Sequence, residues 1–422
     1  MSVVRVGICV LLVFSVLAFG AVEEWAQAII EIAFALLLVY FAIYTYVQKR
    51  DQVFFSPLLL PLGAFAVLVT IQLALHKTFS VYDTRVQLQL LLTYMILIFL
   101  LSQAYQRASE WKNFIWFLMS MGFFVSIFGI LQHLTFNGKL YWARTMHYGG
   151  YPFGPYVNRN HFAGFAELVI PIALAPLVLG KVRRERLVLV GLFALVPSVA
   201  LMLSASRGGI VSFAVEMTIL FLLLMVRRIR SKYVLMGGLI VLTAVMVVSW
   251  IGVQEVLQRF SAIRTSDVST DKRASMRRDT YRIFLEHPVL GTGLGTLPLV
   301  FPAYDSLYDA KFVNHSHNDY LETLSDTGVL GGLCCAWFLG VLFIQALRGM
   351  ADLGGSFAAA LNLSGLVGCC GLLVHSLVDF NLHIPANALL FFVAAFMATA
   401  RLQTAAPGMP GASSSRKRRR KQ

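Results

Sequence analysis

The chain reads as an all-α polytopic membrane protein, with about twelve transmembrane helices and one large, partly helical outer loop between the ninth and tenth. Three observations carry that class. Of 422 residues, 58% are hydrophobic and only 13% charged, about half the charge that soluble domains carry. The apolar residues come in runs of about 18 or more, long enough to cross a hydrocarbon core of roughly 30 Å. The Lys and Arg residues crowd into short segments that fall on alternate sides of those runs.

In chain order the runs are 3–20, 26–47, 53–75, 88–103, 114–134, 162–180, 187–205, 208–226, 233–253, 329–347, 357–377 and 384–401. The first carries Arg5 and ends on Ala18-Phe19-Gly20, so it can also be read as a signal peptide; the topology beyond Ala21 is the same either way. With the N-terminus in the cytoplasm, the inner segments hold 21 of the 35 Lys and Arg, in very short loops, as the positive-inside rule requires. They include Arg5, Arg107, Lys112, Arg186, Arg227, Arg348 and Arg401. The organisation expected is 1–155 as N-terminal helices, 156–347 as a core that includes the outer loop 254–328, 348–402 as C-terminal helices, and 403–422 as a disordered basic arm. That arm is Pro/Gly/Ser-rich and suits a cytoplasmic surface of anionic lipid. The net charge of +14 is therefore a membrane signal, and no nucleic-acid partner is expected. Cys9, Cys334, Cys335, Cys369 and Cys370 all lie in apolar runs, with neither disulfide nor metal-ligand spacing.

Four polar motifs interrupt the pattern, and the topology puts all of them outside. They are Asn158-Arg159-Asn160-His161, the turn Ser204-Ala205-Ser206-Arg207-Gly208-Gly209, the basic loop ending in NHSHNDYLE at 314–322, and HSLVDFNLHIPAN at 375–387. Ionisable groups beside a bilayer cost free energy unless paired or solvated, so such clusters mark functional sites. The SASRGG turn offers unpaired backbone N–H groups and the guanidinium of Arg207, an anion site; a snorkelling arginine is the plainer alternative. In the loop, Arg273 and Arg277 are four apart, as are Arg278 and Arg282. On a helix over 271–286 they form two stripes on nearly opposite sides, so one faces a ligand and the other faces solvent or pairs with Asp279 or Glu286. His315, His317 and Asp319 alternate and would share a face only on a strand, which argues against a metal site. His317 suits a general base acting on a hydroxyl, with Asn318 or Asp319 positioning it. The glycines of GTGLGT (291–296) lack the strand–turn–helix setting of a nucleotide loop and read as a turn. Glu167, two helical turns after NRNH, hydrogen-bonds inward, with proton coupling as the sharper alternative.

Together these motifs resemble the O-antigen ligase/O-antigen polymerase family of bacterial envelope biogenesis. NRNHFAGF, the SRGG turn, the arginine-rich helix leading into HPVLGTGLG, and HSHNDYLETLSDTGVLGG occur in the family's order over 156–347. The resemblance implies a GT-C-like membrane glycosyltransferase without cofactor or metal. Its donor would be an undecaprenyl-pyrophosphate-linked glycan, and its acceptor a sugar hydroxyl on lipid A-core (ligase) or on a growing glycan (polymerase). It implies the inner membrane, both termini cytoplasmic and the site periplasmic. The family's turn arginine falls on Arg207, its loop arginine on Arg273 or Arg278, and its histidine before Asn on His317. Asn160, His161, Arg159, Ser206, Arg277, Arg282, Asn318 and Asp319 would line the substrate. The segment 375–387 is closer to exopolysaccharide-type polymerases, which leaves the acceptor open. From another class, a transporter or flippase of lipid-linked anionic glycans would use the same arginines, but one-sided polar motifs without inverted repeats disfavour it. A membrane protease built on HSHND would require a metal or an activated nucleophile.

Overall fold

The computed structural model describes residues 1–49, 52–145, 151–228, 233–246, 268–307, 312–351 and 356–402. Arg50, Arg230, Lys232, Arg259, Arg264, Lys311, the end of the ninth run and the basic arm lie outside the described residues. The described chain is helical: α1 (Ser2–Leu17), α2 (Glu24–Val47), α3 (Leu59–Ala74), α4 (Val81–Ala104), α5 (Ala108–Leu134), α6 (Arg159–Val178), α7 (Leu187–Leu203), α8 (Arg207–Val226), α9 (Tyr233–Met246), α10 (Val268–Glu286), α11 (Leu297–Val300), α12 (Asp319–Gly349), α13 (Phe357–His375) and α14 (Pro385–Thr399). Eight of them are long and apolar enough to cross a membrane, and α1, α3, α9 and α14 are shorter apolar helices. There is no sheet among the described residues, only the isolated bridges Leu140–Arg144 and Phe153–Tyr156.

Burial separates centre from rim. The apolar stretch of α6 is 94% buried, whereas that of α2 is 22% buried and that of α12 is 28%. The central α6 packs on α13, α7 and α5, and α13 packs on α14 and α8. α1 is part of the same bundle, with Val4, Ile8, Leu12 and Val16 fully buried against its neighbours.

The ends of the bundle differ in chemistry. At one end, Arg5 pairs with Glu110 and donates to the Ala104 carbonyl at 2.9 Å. Lys112 lies 5.6 Å from the Phe357 ring and Arg186 5.1 Å from Trp116. Arg227 donates to the Leu347 carbonyl and Arg401 to Gln345. The starts of α6, α8, α12 and α14 and the end of α13, which carry the polar motifs, gather at the other end.

Four elements differ from the hydropathy pattern. α5 starts at Ala108 instead of 114, with Glu110 accepting from the Arg107 N–H at 2.9 Å. α3 begins at Leu59 instead of 53, because Pro57 disfavours helix in the residue before it. The segment ahead of it is tied to α4 through its backbone: the Phe54 carbonyl accepts from Ser102 Oγ at 2.8 Å and Gln103 Nε2 at 2.5 Å. α4 starts earlier, at Val81, with the Ser80 hydroxyl capping Asp83 N at 3.2 Å. Its first turn is polar, so hydropathy alone hides it. The tenth run is the second half of α12: Gly328 (φ 63°, ψ −167°) breaks the helix, and residues 319–327 form a polar half before the break. Only glycine meets both demands there, the left-handed φ and the close approach of the Val289 backbone.

Candidate active site

Three helices that start at the polar end, α6, α8 and α12, carry side-chain caps. Asn158 Oδ1 accepts from Asn160 N at 2.9 Å, Ser206 Oγ from Gly209 N at 3.1 Å, and Asn318 Oδ1 from Leu321 N at 2.9 Å. These caps set where α6, α8 and α12 begin, and the remaining first-turn N–H groups give that end a positive bias. The SRGG turn is pressed against the end of α13. A Cβ at Gly208 would lie 2.9 Å from His375 Nε2 and 3.0 Å from Val378, so Arg207 and the 375–379 segment are neighbours. His375 is itself held by Glu167 at 3.0 Å, both fully buried. Glu167 thus hydrogen-bonds inward, as its spacing from NRNH predicts.

Asp379 lies next along that segment and is buried. His317 Nδ1 is 3.2 Å from its Oδ1, and Asn160 Nδ2 donates to its Oδ2 at 2.5 Å. The Phe380 N–H also donates to Oδ1, at 2.9 Å. Burial alone would favour the neutral acid, but the His317 hydrogen bond and the neighbouring histidines hold Asp379 far below the usual carboxylate range. A carboxylate only accepts, so the His317 Nδ1 carries the proton. Nε2 is then the basic nitrogen, and it makes no hydrogen bond among the described residues. The His317 side chain is 21% exposed. Its φ of 54° is a left-handed conformation that costs about 1–3 kcal/mol for a non-glycine residue.

A second cluster flanks the first. Glu322 accepts from His315 Nδ1 at 2.7 Å, from Ser316 N at 2.9 Å and from Ser316 Oγ at 3.3 Å. His383 Nδ1 is 2.6 Å from Asp319 Oδ1, and its Nε2 is 3.4 Å from Glu322 Oε1. Burial alone would lower the His383 pKa, but the Glu322 and Asp319 carboxylates, with Asp326 beyond, push it up to about 10. The alternating set His315, His317 and Asp319 does not assemble, because His317 turns to Asp379 and Asp319 to His383. His315, Glu322 and His383 do bring one ligand-type atom each within 4.8 Å of one another. The 2.7 Å contact from His315 to Glu322 is a hydrogen-bond distance.

The other residues picked out by the motifs take distinct places. The Arg159 guanidinium lies 4.6 Å from the Tyr151 ring. His161 is buried, its ring 4.8 Å from Phe380 and its carbonyl accepting from Asn387 at 2.8 Å, so it lies beneath the site. Ser206 is fully buried and spent as a cap. The Asn318 amide is engaged at both ends, with Leu321 N and with the Leu377 carbonyl at 2.9 Å. Arg207 is half-buried. On α10, Arg273 and Arg277 are half-buried, while Arg278 and Arg282 are exposed and Arg282 lies 3.8 Å from Asp279. The helix is held by a small outer core of Ile283, Leu297, Val300, Phe301 and Val313, just ahead of the NHSHND stretch. The GTGLGT segment is a packing turn: Gly291 (φ 71°) sits against the Asp326–Thr327 backbone, where no side chain fits.

Asp379 and His383 are the residues the motif spacing missed. The 375–387 stretch is visible as an outer polar motif, but nothing in its spacing says that Asp379 meets a histidine 62 positions earlier.

An apolar cleft of about 530 Å³ between α3, α4, α12 and α14 runs to Asp319 and His383; Phe65, Leu91, Tyr94, Phe338 and Phe392 line it.

The family model described as O-antigen ligase matches residues 168–336. The match takes in the SRGG turn, α10 and NHSHND, and leaves out Asn160 and Asp379 to either side. No curated relative matches the chain. With its helices and its one-sided polar motifs, the chain is a polytopic membrane protein, and its stretch 168–336 is similar to the O-antigen ligase family.

Proposed function

We propose that the chain is a metal-independent, inverting O-antigen ligase: it moves a glycan from undecaprenyl pyrophosphate to a sugar hydroxyl of lipid A-core. The polar end of the bundle faces the periplasm, and the end carrying Arg5, Lys112, Arg186, Arg227 and Arg401 faces the cytoplasm with both termini. The observation that carries this reading is the His317–Asp379 pair beside the start of α8, where an imidazole nitrogen and an arginine border one segment.

The chemistry follows from the geometry. Asp379 fixes the tautomer of His317, and Nε2 takes the proton of the acceptor hydroxyl as its oxygen attacks the anomeric carbon. The bond to the pyrophosphate breaks, and the departing oxygen keeps the electron pair. Arg207 and the N–H groups opening α8 neutralise that charge, with one arginine of α10. Arg273 is the first choice for the latter, because its stripe is half-buried and that of Arg278 is exposed. Guanidinium groups supply the charge, so no step runs through a metal. The apolar cleft suits the isoprenoid chain of the donor. Direct displacement inverts the anomeric centre, so retention in the product would eliminate it.

A polymerase of the same family, with a growing glycan as acceptor, is the second reading, favoured by the weight of the 375–387 segment in this site. The test is transfer by purified protein from an undecaprenyl-pyrophosphate glycan, with lipid A-core and free glycan offered in parallel. Extension of lipid A-core supports the ligase, and extension of free glycan the polymerase. Movement of the donor across liposomes without a new glycosidic bond would support a transporter instead.

A further inference from the structure

We infer that His383 is the latch that fixes the NHSHND turn, and so a positioning residue for His317. The argument starts from His317, whose left-handed backbone (φ 54°) persists only if its flanks are held. Both flanks are tied into one network. On the N-terminal side, Ser316 donates its N–H and its hydroxyl to Glu322. On the C-terminal side, Asn318 caps α12 and donates to the Leu377 carbonyl, and Asp319 N donates to the Ser376 carbonyl at 3.0 Å. Glu322 and Asp319 are both buried, and two buried carboxylates a turn apart repel unless a donor lies between them. His383 is that donor. Nδ1 hydrogen-bonds Asp319 at 2.6 Å, and Nε2 faces Glu322 at an ion-pair distance of 3.4 Å.

Carboxylates accept and do not donate, so an imidazole facing one through each nitrogen carries both protons and a positive charge. The groups that face it agree: Asp319, Glu322 and Asp326 from α12, with the His315 ring 5.0 Å away. The raised pKa of His383 is the same balance seen from the proton's side. The 381–383 turn is closed onto the same helix by Leu382 N, which donates to Asp319 Oδ2 at 3.1 Å. One cation thus joins the turn that carries His317 to the segment that carries Asp379, the two halves of the pair.

The functional arm of the test rests on the glycosyl-transfer reading, and the charge arm does not. For the charge arm, ¹⁵N NMR of histidine-labelled protein in nanodiscs, assigned with His383→Gln, reads the two ring nitrogens at pH 7.5. Two protonated nitrogens are expected. A neutral tautomer, or one equivalent of zinc that purifies with the wild type and is lost in His383→Gln, would overturn the latch. For the functional arm, His383→Gln keeps the shape but cannot bear charge. It should lower kcat for glycan transfer at least tenfold, with the KM for donor within about twofold and the protein still folded by its melting transition. Charge restored by His383→Arg should recover part of kcat. If kcat is unchanged in His383→Gln, the latch is refuted. If the wild type transfers no glycan at all, the enzyme reading fails, while the charge arm still decides whether His383 is the cation.

Discussion

The two histidine–carboxylate clusters at the polar end share ingredients and differ in closure. In the first, Asp379 collects donors from His317, Asn160 and its own neighbour, and His317 keeps one nitrogen without a partner among the described residues. In the second, both nitrogens of His383 face carboxylates and Glu322 is saturated by His315 and Ser316. An imidazole with one committed nitrogen can exchange a proton at the other, whereas one committed at both can only hold. On the proposed reading, proton chemistry belongs to the open cluster and geometry to the closed one.

The largest expected effect tests the open cluster. His317→Ala removes the proposed base and should reduce transfer by about 10²–10⁴-fold, the usual range for general-base catalysis, with insertion and folding intact. Arg207→Ala should match it, and Arg207→Lys should be impaired as well, because an ammonium lacks the bidentate fork. Transfer at the wild-type rate by either alanine variant, measured with radiolabelled donor, would strike that residue from the scheme. Asp379→Asn comes next. It keeps the shape but lets the amide donate, so His317 no longer has its tautomer fixed. We expect a loss of about 10²-fold in kcat with little change in KM. An unchanged kcat would make the 3.2 Å contact incidental.

Smaller effects separate the two stripes of α10. Arg273→Ala should lower transfer more than Arg278→Ala, because only the first stripe is half-buried. Equal losses would remove burial as the guide. Gly208→Ala tests how the clusters are joined to the SRGG turn. The added methyl would fall 2.9 Å from His375 Nε2, and His375 is fully buried against Glu167. A loss of about 1–3 kcal/mol of stability is expected, read as a lower melting temperature.

Hydropathy made the spans legible because a bilayer imposes a length and a polarity on each helix. Polar helix starts such as that of α4 escaped it, since Asp83, Thr84 and Arg85 read as loop until Ser80 is seen as a cap. Residue chemistry marked His317 and Arg207, which stand out in short polar motifs. It did not mark Asp379 or His383 as partners, because contacts across 62 and 64 positions are set by the packing of α13 on α6 and by the break at Gly328. Neither is written in local spacing. The hydroxyl of Ser206 and the amide of Asn318 had the opposite fault: their chemistry suggested ligand contact, and the caps they form absorb it.

The last effect concerns the closed cluster and pH. The pKa of His383 is raised in the folded protein from the ordinary 6.5 to about 10. A raised pKa means that the folded state holds the proton more tightly than the unfolded chain does. Its contribution to stability is therefore fully present below pH 6.5 and is lost as pH rises through about 10. Melting temperature in detergent should decline from pH 7 to pH 10 for the wild type and decline less for His383→Gln, which has no proton to lose. The low folded pKa of Asp379 acts in the other direction: its contribution is present above its ordinary value and is lost only in strong acid, outside this window. A slope that is the same in both proteins would mean that the two carboxylates of α12 are balanced by something other than the ring between them.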